Sequence, residues 1–471
     1  MSQQHLGVIG LGVMGSNLAL NAESKGFSAA GFDVSADKVK QFESSARGKK
    51  LVAAHSLKEF VAALETPRRI LMMVPAGAPV DSVLRDLRPL LSQEDIVIDG
   101  GNSYFKDTER RAKELDSTGL RFFGMGVSGG EEGALHGPSL MPGGREESYR
   151  HLEAVLTRMA AQTEDGACCT YLGPGGAGHY VKMVHNGIEY GIIQSICEIY
   201  ALLKQALGLS AAQLHDVFGA WNEGELNSFL VEITALVLDK ADPETQKPLV
   251  DLILDEAEQK GTGKWTAQDA LDLGVAVPTL LIAVSTRILS AQKDERVAAS
   301  AVLKGPDGRF SGDNKRLIED ARRALGLAMV ICYAQGFEQL RVASAEYKYG
   351  LKLPEVARIW KGGCIIRSKM LDPIAAAFRA QPSLNNLLLD SYFSRAVQEN
   401  SGNLRASLKT GVDLGVSLPA LSASLAYLDG FRQARLPANL LQALRDCFGA
   451  HTYRRIDREG VFHTDWSQGS H

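Results

Sequence analysis

The sequence has little that points to a membrane, a nucleic acid or an oxidising compartment. Its 471 residues include six cysteines without a C-x-x-C pair, and Cys168 and Cys169 are adjacent, a poor start for a disulfide. Reduced thiols in a cytoplasmic protein are expected, and no His/Cys spacing suggests a metal site. Basic residues do not outnumber acidic ones. The 51 Lys and Arg against 55 Asp and Glu leave a net charge of −4, so neither nucleic acid nor a membrane surface is an expected partner. After Met1-Ser2-Gln3-Gln4-His5 the chain runs straight into a strand pattern, without the basic and apolar stretches of a signal peptide. Apolar runs such as Val275 to Val284 are too short to span a bilayer. With 45% hydrophobic residues and low net charge, the chain is not of the disordered class.

Strand signals are confined to the first third. Leu6 to Ile9, Ala29 to Phe32, Arg69 to Val74, Ile96 to Asp99 and Arg121 to Gly126 read as strands. Amphipathic segments such as Gly15 to Lys25, Ala36 to Ser45 and Asp81 to Leu91 separate them, which predicts a doubly wound parallel sheet. The cluster Gly173-Pro174-Gly175-Gly176-Ala177-Gly178 marks a junction, beyond which the pattern is helical throughout. There Asp272-Leu273-Gly274-Val275-Ala276-Val277-Pro278 returns as Asp413-Leu414-Gly415-Val416-Ser417-Leu418-Pro419, and Trp221-Asn222-Glu223-Gly224 is echoed by Trp360-Lys361-Gly362-Gly363. Two motifs in the same order predict a duplicated helical unit. The expected architecture is α/β plus all-α: an α/β domain over 1–177, a duplicated all-helical domain over 178–435 and a tail over 436–471.

Gly10-Leu11-Gly12-Val13-Met14-Gly15 carries G-x-G-x-x-G between a strand and a helix. The first glycine allows the tight turn, the second admits a pyrophosphate against the backbone, and the third lets helix and strand pack closely. Asp33 closes the second strand near the spacing at which a carboxylate meets the ribose hydroxyls of a dinucleotide. A carboxylate there repels the 2′-phosphate of NADP, and Asp33-Val34-Ser35 offers no fork of donors, so NAD is the expected coenzyme over NADP.

Lys182, His185, Asn186, Glu189 and Tyr190 fall on one face of a predicted helix. A solvated face is the bland alternative. Against it, the stripe mixes five residue types, and Gly187 and Gly191 sit inside the helix at about 1 kcal/mol each. Those glycines are expected to let a backbone or ligand come close, with the stripe lining a cleft. Lys182 and Glu189, two turns apart, can serve as separate acid and base groups. Gly126-Val127-Ser128-Gly129-Gly130 also matches the G-x-S-x-G elbow of serine hydrolases. That rival leaves the Gly10 to Gly15 turn unexplained, and a ligand-binding sensor without turnover leaves the stripe unexplained. Lys260-Gly261-Thr262-Gly263-Lys264-Trp265 reads equally as a phosphate loop or a solvated turn.

Together these motifs, with Asp99-Gly100-Gly101-Asn102-Ser103 and Phe448-Gly449-Ala450-His451, resemble the long-form decarboxylating 6-phosphogluconate dehydrogenases of the β-hydroxyacid dehydrogenase superfamily, in order along nearly the whole chain. The resemblance implies a Rossmann-like dinucleotide domain, a helical substrate and dimerisation domain, and a tail threading into the partner of a homodimer. It implies oxidation and decarboxylation of 6-phosphogluconate without a metal, with Lys182 as base and then acid at C3, and Glu189 protonating C1 of the enediol. By the same resemblance Asn102, Ser128, Gly129, Gly130, His185, Asn186 and Tyr190 hold the sugar acid. Lys260 and Arg287 hold its phosphate, joined by Arg445 and His451 from the neighbouring tail. Gly10 to Gly15, Asp33, Val34, Ser35, Val74, Pro75, Ala76 and Asn102 meet the coenzyme. The chain departs from the NADP-dependent pattern, which reads Asn-Arg-Thr at Asp33-Val34-Ser35 and often Lys at Pro75. The runner-up within the superfamily is a dehydrogenase of another β-hydroxyacid such as 3-hydroxyisobutyrate.

Overall fold

The computed structural model describes residues 3–259 and 261–467. The chain divides into two compact units, one running to Ser424 and the other starting at Leu425. The first begins with strands β1 (Leu6–Ile9), β2 (Ala29–Phe32), β3 (Leu51–Ala53), β4 (Arg69–Met72), β5 (Ile96–Asp99), β6 (Arg121–Ser128) and β7 (Ser139–Gly144). Among the described residues they form one sheet in the order β3-β2-β1-β4-β5-β6-β7. Every pair is parallel except the last, β6 with β7. Ile9 lies level with Phe32 on one side and Met72 on the other, and Met72 with Asp99. The ends of β1, β4 and β5 thus share one edge, where the strand order reverses and such sheets bind their ligands.

Helices α1 (Val13–Ser24), α2 (Ala36–Ala46), α3 (Leu57–Ala62), α4 (Ala78–Leu87), α5 (Phe105–Asp116), α6 (Gly130–His136), α7 (Glu146–Arg150) and α8 (Glu153–Met159) accompany the sheet. Val8, Leu71 and Ile98 pack with Leu18 and Phe42 on one face, and Ile9, Ile70 and Val97 with Phe60 and Leu84 on the other. Burial on both faces explains why the strands read as continuous apolar runs. The short β3 and the edge strand β7 carried no readable signal. Pro142-Gly143-Gly144 has turn composition, and an edge is where a sheet tolerates proline.

The helical part comprises α9 (Ala177–Leu207), α10 (Ala211–Asn222), α11 (Phe229–Asp239), α12 (Thr262–Asp272), α13 (Pro278–Ser290) and α14 (Lys293–Val302). Then come α15 (Asn314–Glu346), α16 (Leu353–Ile359), α17 (Leu371–Ala380), α18 (Ser391–Leu414) and α19 (Pro419–Phe431). The repeated motifs fall at corresponding places, with Asp272 closing α12 before Pro278 opens α13 and Asp413 near the end of α18 before Pro419 opens α19. α9 and α15 run 31 and 33 residues and pack together; α10 to α14 follow the first and α16 to α19 the second. Pro278 and Pro419 open α13 and α19 at the first helical position, where a missing N–H is tolerated. The copies meet about Ser228 and Ser368: the Phe229 N–H donates to Arg367 O and the Lys369 N–H to Asn227 O, both at 3.0 Å. They also cap one another. Glu198 of α9 accepts the N–H groups of Ala420 and Leu421, and Gln335 of α15 that of Thr279.

The second unit contains α20 (Ala438–Gly449) and a returning segment in which Tyr453 and Phe462 pair antiparallel.

Candidate active site

At the strand edge a cleft of about 1050 Å³ is lined by Gly10, Gly12, Val13, Met14, Gly15, Asp33, Val34, Val74, Pro75, Ala76 and Asn102, together with Lys38. Each glycine of the turn does a separate job. Gly10 has φ +95°, and a Cβ there would lie 2.4 Å from Met73 O. A Cβ on Gly15 would lie 1.9 Å from Gly10 O, while nothing stands within 4 Å of one on Gly12. Gly12 is also the N-cap of α1 and offers its first N–H groups without a competing side chain. This cradle fits a dinucleotide pyrophosphate. Asn102 follows β5 in a loop held by Asp99, whose carboxylate accepts the Gly101 N–H at 3.0 Å and the Ser103 hydroxyl at 2.6 Å.

Beside the sheet, α9 carries the polar stripe into the interior. Lys182, His185, Asn186 and Tyr190 are buried, and the Glu189 side chain keeps 20% of its exposure. The Lys182 stem lies across β6 where Gly126 leaves room, since a Cβ there would sit 2.4 Å from Lys182 Cβ. Gly187 and Gly191 serve differently from the expectation: they receive side chains, Thr266 of α12 at the first and Cys332 and Leu280 at the second, rather than a ligand or another backbone. Asn186 donates to Thr262 Oγ1 at 3.0 Å. His185 Nε2 lies 3.3 Å from Ser128 Oγ, and its Nδ1 lies 3.0 Å from Asn186 Oδ1. Arg287 of α13 stacks 3.4 Å above the Tyr190 ring centroid.

Burial acts on this cluster with opposite results. It lowers the Lys182 ammonium, with Glu189 and Cys364 opposing, and raises the Glu189 carboxyl, with Lys182 and Arg287 opposing. It also holds His185 well below its ordinary value, with Lys182 adding to the effect, so the imidazole is neutral. The Ser128–His185 contact is half of what a hydrolase needs. The group hydrogen-bonded to Nδ1 is a neutral amide from the adjacent residue, while the Glu189 carboxyl stands 3.9 Å off, beyond hydrogen-bond reach, and the pair sits beside a dinucleotide cleft.

Two groups escaped the sequence reading. The Ile365 N–H donates to Ser128 Oγ at 3.4 Å, and Gly363 O accepts the Ser139 N–H at 2.7 Å, so the stretch from Gly363 to Ile365 braces the Ser128 turn and the strand beside it. Its glycine was readable only as a repeat marker. Thr262, the partner of Asn186, lay in the glycine loop without a signal of its own. Lys260 lies outside the described residues. Arg445 and His451 lie in the second unit, on α20 and in the turn after it. Among the described residues no group of three His, Cys, Asp or Glu side chains is placed to hold a metal, and no helix is long and apolar enough to cross a membrane.

Two family profiles match: the NAD binding domain of 6-phosphogluconate dehydrogenase over residues 5–173, and the 6-phosphogluconate dehydrogenase C-terminal domain over 178–466. The chain is 55% identical over 467 residues to the NADP(+)-dependent, decarboxylating 6-phosphogluconate dehydrogenase of Bacillus subtilis, covering 99% of this chain and all of that one. It is 52% identical to the decarboxylating enzyme of Escherichia coli K12, again over 99% and 100%. The solved 6-phosphogluconate dehydrogenase of Plasmodium falciparum, studied with its cofactor NADP+ and its substrate 6-phosphogluconate, superposes with a TM-score of 0.93 at 41% identity. That match covers 98% of this chain and all of that one.

These relatives overturn the expected preference for NAD, because the Bacillus enzyme is NADP(+)-dependent. The Asp33 carboxylate explains why its presence misled. Oδ2 accepts the Leu11 N–H at 2.7 Å and Oδ1 the Ser35 N–H at 2.9 Å, and the Lys38 ammonium stands 3.6 Å away. The group ties down the glycine turn and the start of α2, and the Lys38 ammonium counters its charge, so its presence alone does not exclude a phosphate nearby. Ser35, the N-cap of α2, makes no capping bond with its own side chain, which leaves its hydroxyl and the helix N-terminus to an anion. With both domains matched in order over almost the whole length, the chain belongs to the 6-phosphogluconate dehydrogenase family.

Proposed function

We propose that this protein catalyses oxidative decarboxylation of 6-phospho-D-gluconate to D-ribulose 5-phosphate and CO2 with reduction of NADP, in the pentose phosphate pathway, as a cytoplasmic homodimer. The observation that carries the reading is the opposed pair on α9: a buried lysine with a lowered pKa two turns from a carboxyl with a raised one. Environments that push two titratable groups apart in this way mark a base and an acid. When bound, NADP supplies the hydride acceptor at C3. Neutral Lys182 takes the C3 hydroxyl proton as that carbon is oxidised. The ammonium so formed donates to the C3 carbonyl oxygen and draws in the electron pair released as CO2 leaves. Protonated Glu189 then delivers its proton to C1 of the enediol while Lys182, neutral again, takes back the proton on the neighbouring oxygen and leaves the ketone. Ser128, His185 and Asn186, braced against one another and against Thr262, orient the sugar acid. Arg287, flat on Tyr190, serves the phosphate end with Lys260.

Asn102, Val74, Pro75 and Ala76 line the nicotinamide side of the cleft in this reading, and Lys38 and Ser35 receive the 2′-phosphate. A second copy of the chain completes the phosphate end with Arg445 and His451. In support of a dimer, α20 exposes Leu440, Leu441, Leu444 and Phe448, and the first unit exposes Leu236, Val237, Ile253 and Leu254. The test follows absorbance of the reduced coenzyme and CO2 release with 6-phosphogluconate. One CO2 per NADPH is expected, and absence of turnover refutes the reading. Lys38→Ala is expected to raise the KM for NADP about fivefold, the scale of one partly exposed charge contact, with kcat nearly unchanged.

A further inference from the structure

The second unit contains a buried carboxylate with no part in the chemistry above. Asp446 of α20 is fully enclosed. Its Oδ1 accepts the Thr452 N–H at 2.9 Å and lies 2.9 Å from His463 Nδ1, which must be the donor to an ionised carboxylate. Its Oδ2 accepts the Thr464 N–H at 3.0 Å and the Trp466 indole N–H at 2.8 Å. Enclosure pushes this carboxyl up, but the hydrogen bonds from His463, Trp466, Thr464 and Thr452 outweigh it and hold it down at about 2.

The bonds converge on an unusual stretch of backbone. Ala450 and Thr452 have φ of +49° and +61°. The left-handed region disfavours any residue with a Cβ, and a β-branched threonine most of all, so the surroundings must hold it there. They do so from both sides: Asp446 takes the Thr452 N–H, and Gln442 Nε2 donates to the Thr452 carbonyl at 2.6 Å. Gln442 Oε1 also accepts from Arg445 at 3.2 Å. Between the two strained residues sits His451, exposed like Arg445.

We infer that Asp446 is a positioning residue for the substrate's phosphate: it locks the strained turn at 450–452 and so fixes His451 in one register with Arg445, acting on the site of a neighbouring copy. This rests on the reading that both residues act in trans.

The test uses full-length dimers. Asp446→Asn keeps the size of the side chain but places donors among donors. It is expected to raise the KM for 6-phosphogluconate tenfold or more, on the order of one lost charged hydrogen bond, while kcat falls less than about threefold and the KM for NADP stays unchanged. Trp466→Phe, which removes one donor and keeps a ring, should move the same KM by a smaller factor, and it serves if the first variant does not fold. A normal KM in both variants overturns the proposal. Heterodimers of Asp446→Asn with Lys182→Ala chains should regain one native site, with a wild-type KM and about half the wild-type rate per dimer, since each chain supplies what the other lacks. Arg445→Ala with Lys182→Ala is the control. If the control regains activity and the Asp446 pair does not, the inference about Asp446 fails alone. If neither does, the trans reading fails and takes the inference with it.

Discussion

The two long helices of the helical part are of similar length and pack on each other, yet only α9 also packs on β6 and β7 and carries the Lys-His-Asn-Glu-Tyr stripe. Along α9 the buried positions include Lys182, His185, Asn186 and Tyr190, whereas the equivalent turns of α15 bury Ala321, Ala324, Leu325 and Ala328. Burying a charged or polar side chain is unfavourable unless it is paired, so a helix lined with them is a weak pillar. The second copy supplies apolar packing that holds the first in place. In the proposed mechanism, then, α9 bears the function and α15 bears the load.

The largest test of this division is Lys182→Met. It is expected to lower kcat by about 10³-fold, within the range for losing a general acid/base, while the melting temperature holds or rises because a buried polar amine is replaced by an apolar chain of similar size. Activity and thermal melting measured on the same preparation decide it, and substantial residual turnover would remove Lys182 from the mechanism. The mirror experiment is Leu325→Ala on α15, at a position with 0% exposure. A loss of about 2–5 kcal/mol in denaturant unfolding is expected, with kcat/KM close to wild type under native conditions. A stable Leu325→Ala enzyme with collapsed kcat/KM would break the comparison.

The stripe on α9 and the glycine turn were legible in the sequence because both depend on local spacing. Lys182 to Tyr190 lie within three turns, and Gly10 to Gly15 within one loop, so helix period and glycine position were enough. What could not be read depends on direction and distance. Asp33 was visible as a carboxylate. That its two oxygens serve Leu11 and Ser35 is a matter of where the backbone turns. The brace from Ile365 to Ser128 spans 237 positions, and no local pattern encodes it. Strand β7 was hidden by Pro142-Gly143-Gly144, whose composition says turn until the edge of the sheet is known. Gly187 and Gly191 were correctly singled out, but whether a glycine admits a ligand or a threonine is decided by the helix opposite.

The reciprocal caps sharpen the comparison further, because the two copies use different side chains for one task. Glu198 carries a carboxyl at 2% exposure, which burial raises from 4.5 to about 7 against the pull of Leu421, Ala420 and Gln194. The native state therefore keeps a proton that the unfolded chain releases above about pH 4.5. Stability from this group is full below pH 4.5 and is lost as pH rises through about 7. The whole span corresponds to about 3 kcal/mol. Glu198→Gln should remove that slope, so the advantage of wild type over variant shrinks as pH rises across this window in melting experiments. Gln335 does the matching work without titrating: it accepts the Thr279 N–H at 3.1 Å and donates to Thr279 Oγ1 at 3.1 Å. Gln335→Leu leaves that buried N–H without its partner and is expected to lose about 1–2 kcal/mol equally at every pH. A pH-dependent loss for Gln335→Leu, or an unchanged slope for Glu198→Gln, would mean that the caps do not differ in the way their side chains require, and that the asymmetry between the copies lies only in the stripe on α9.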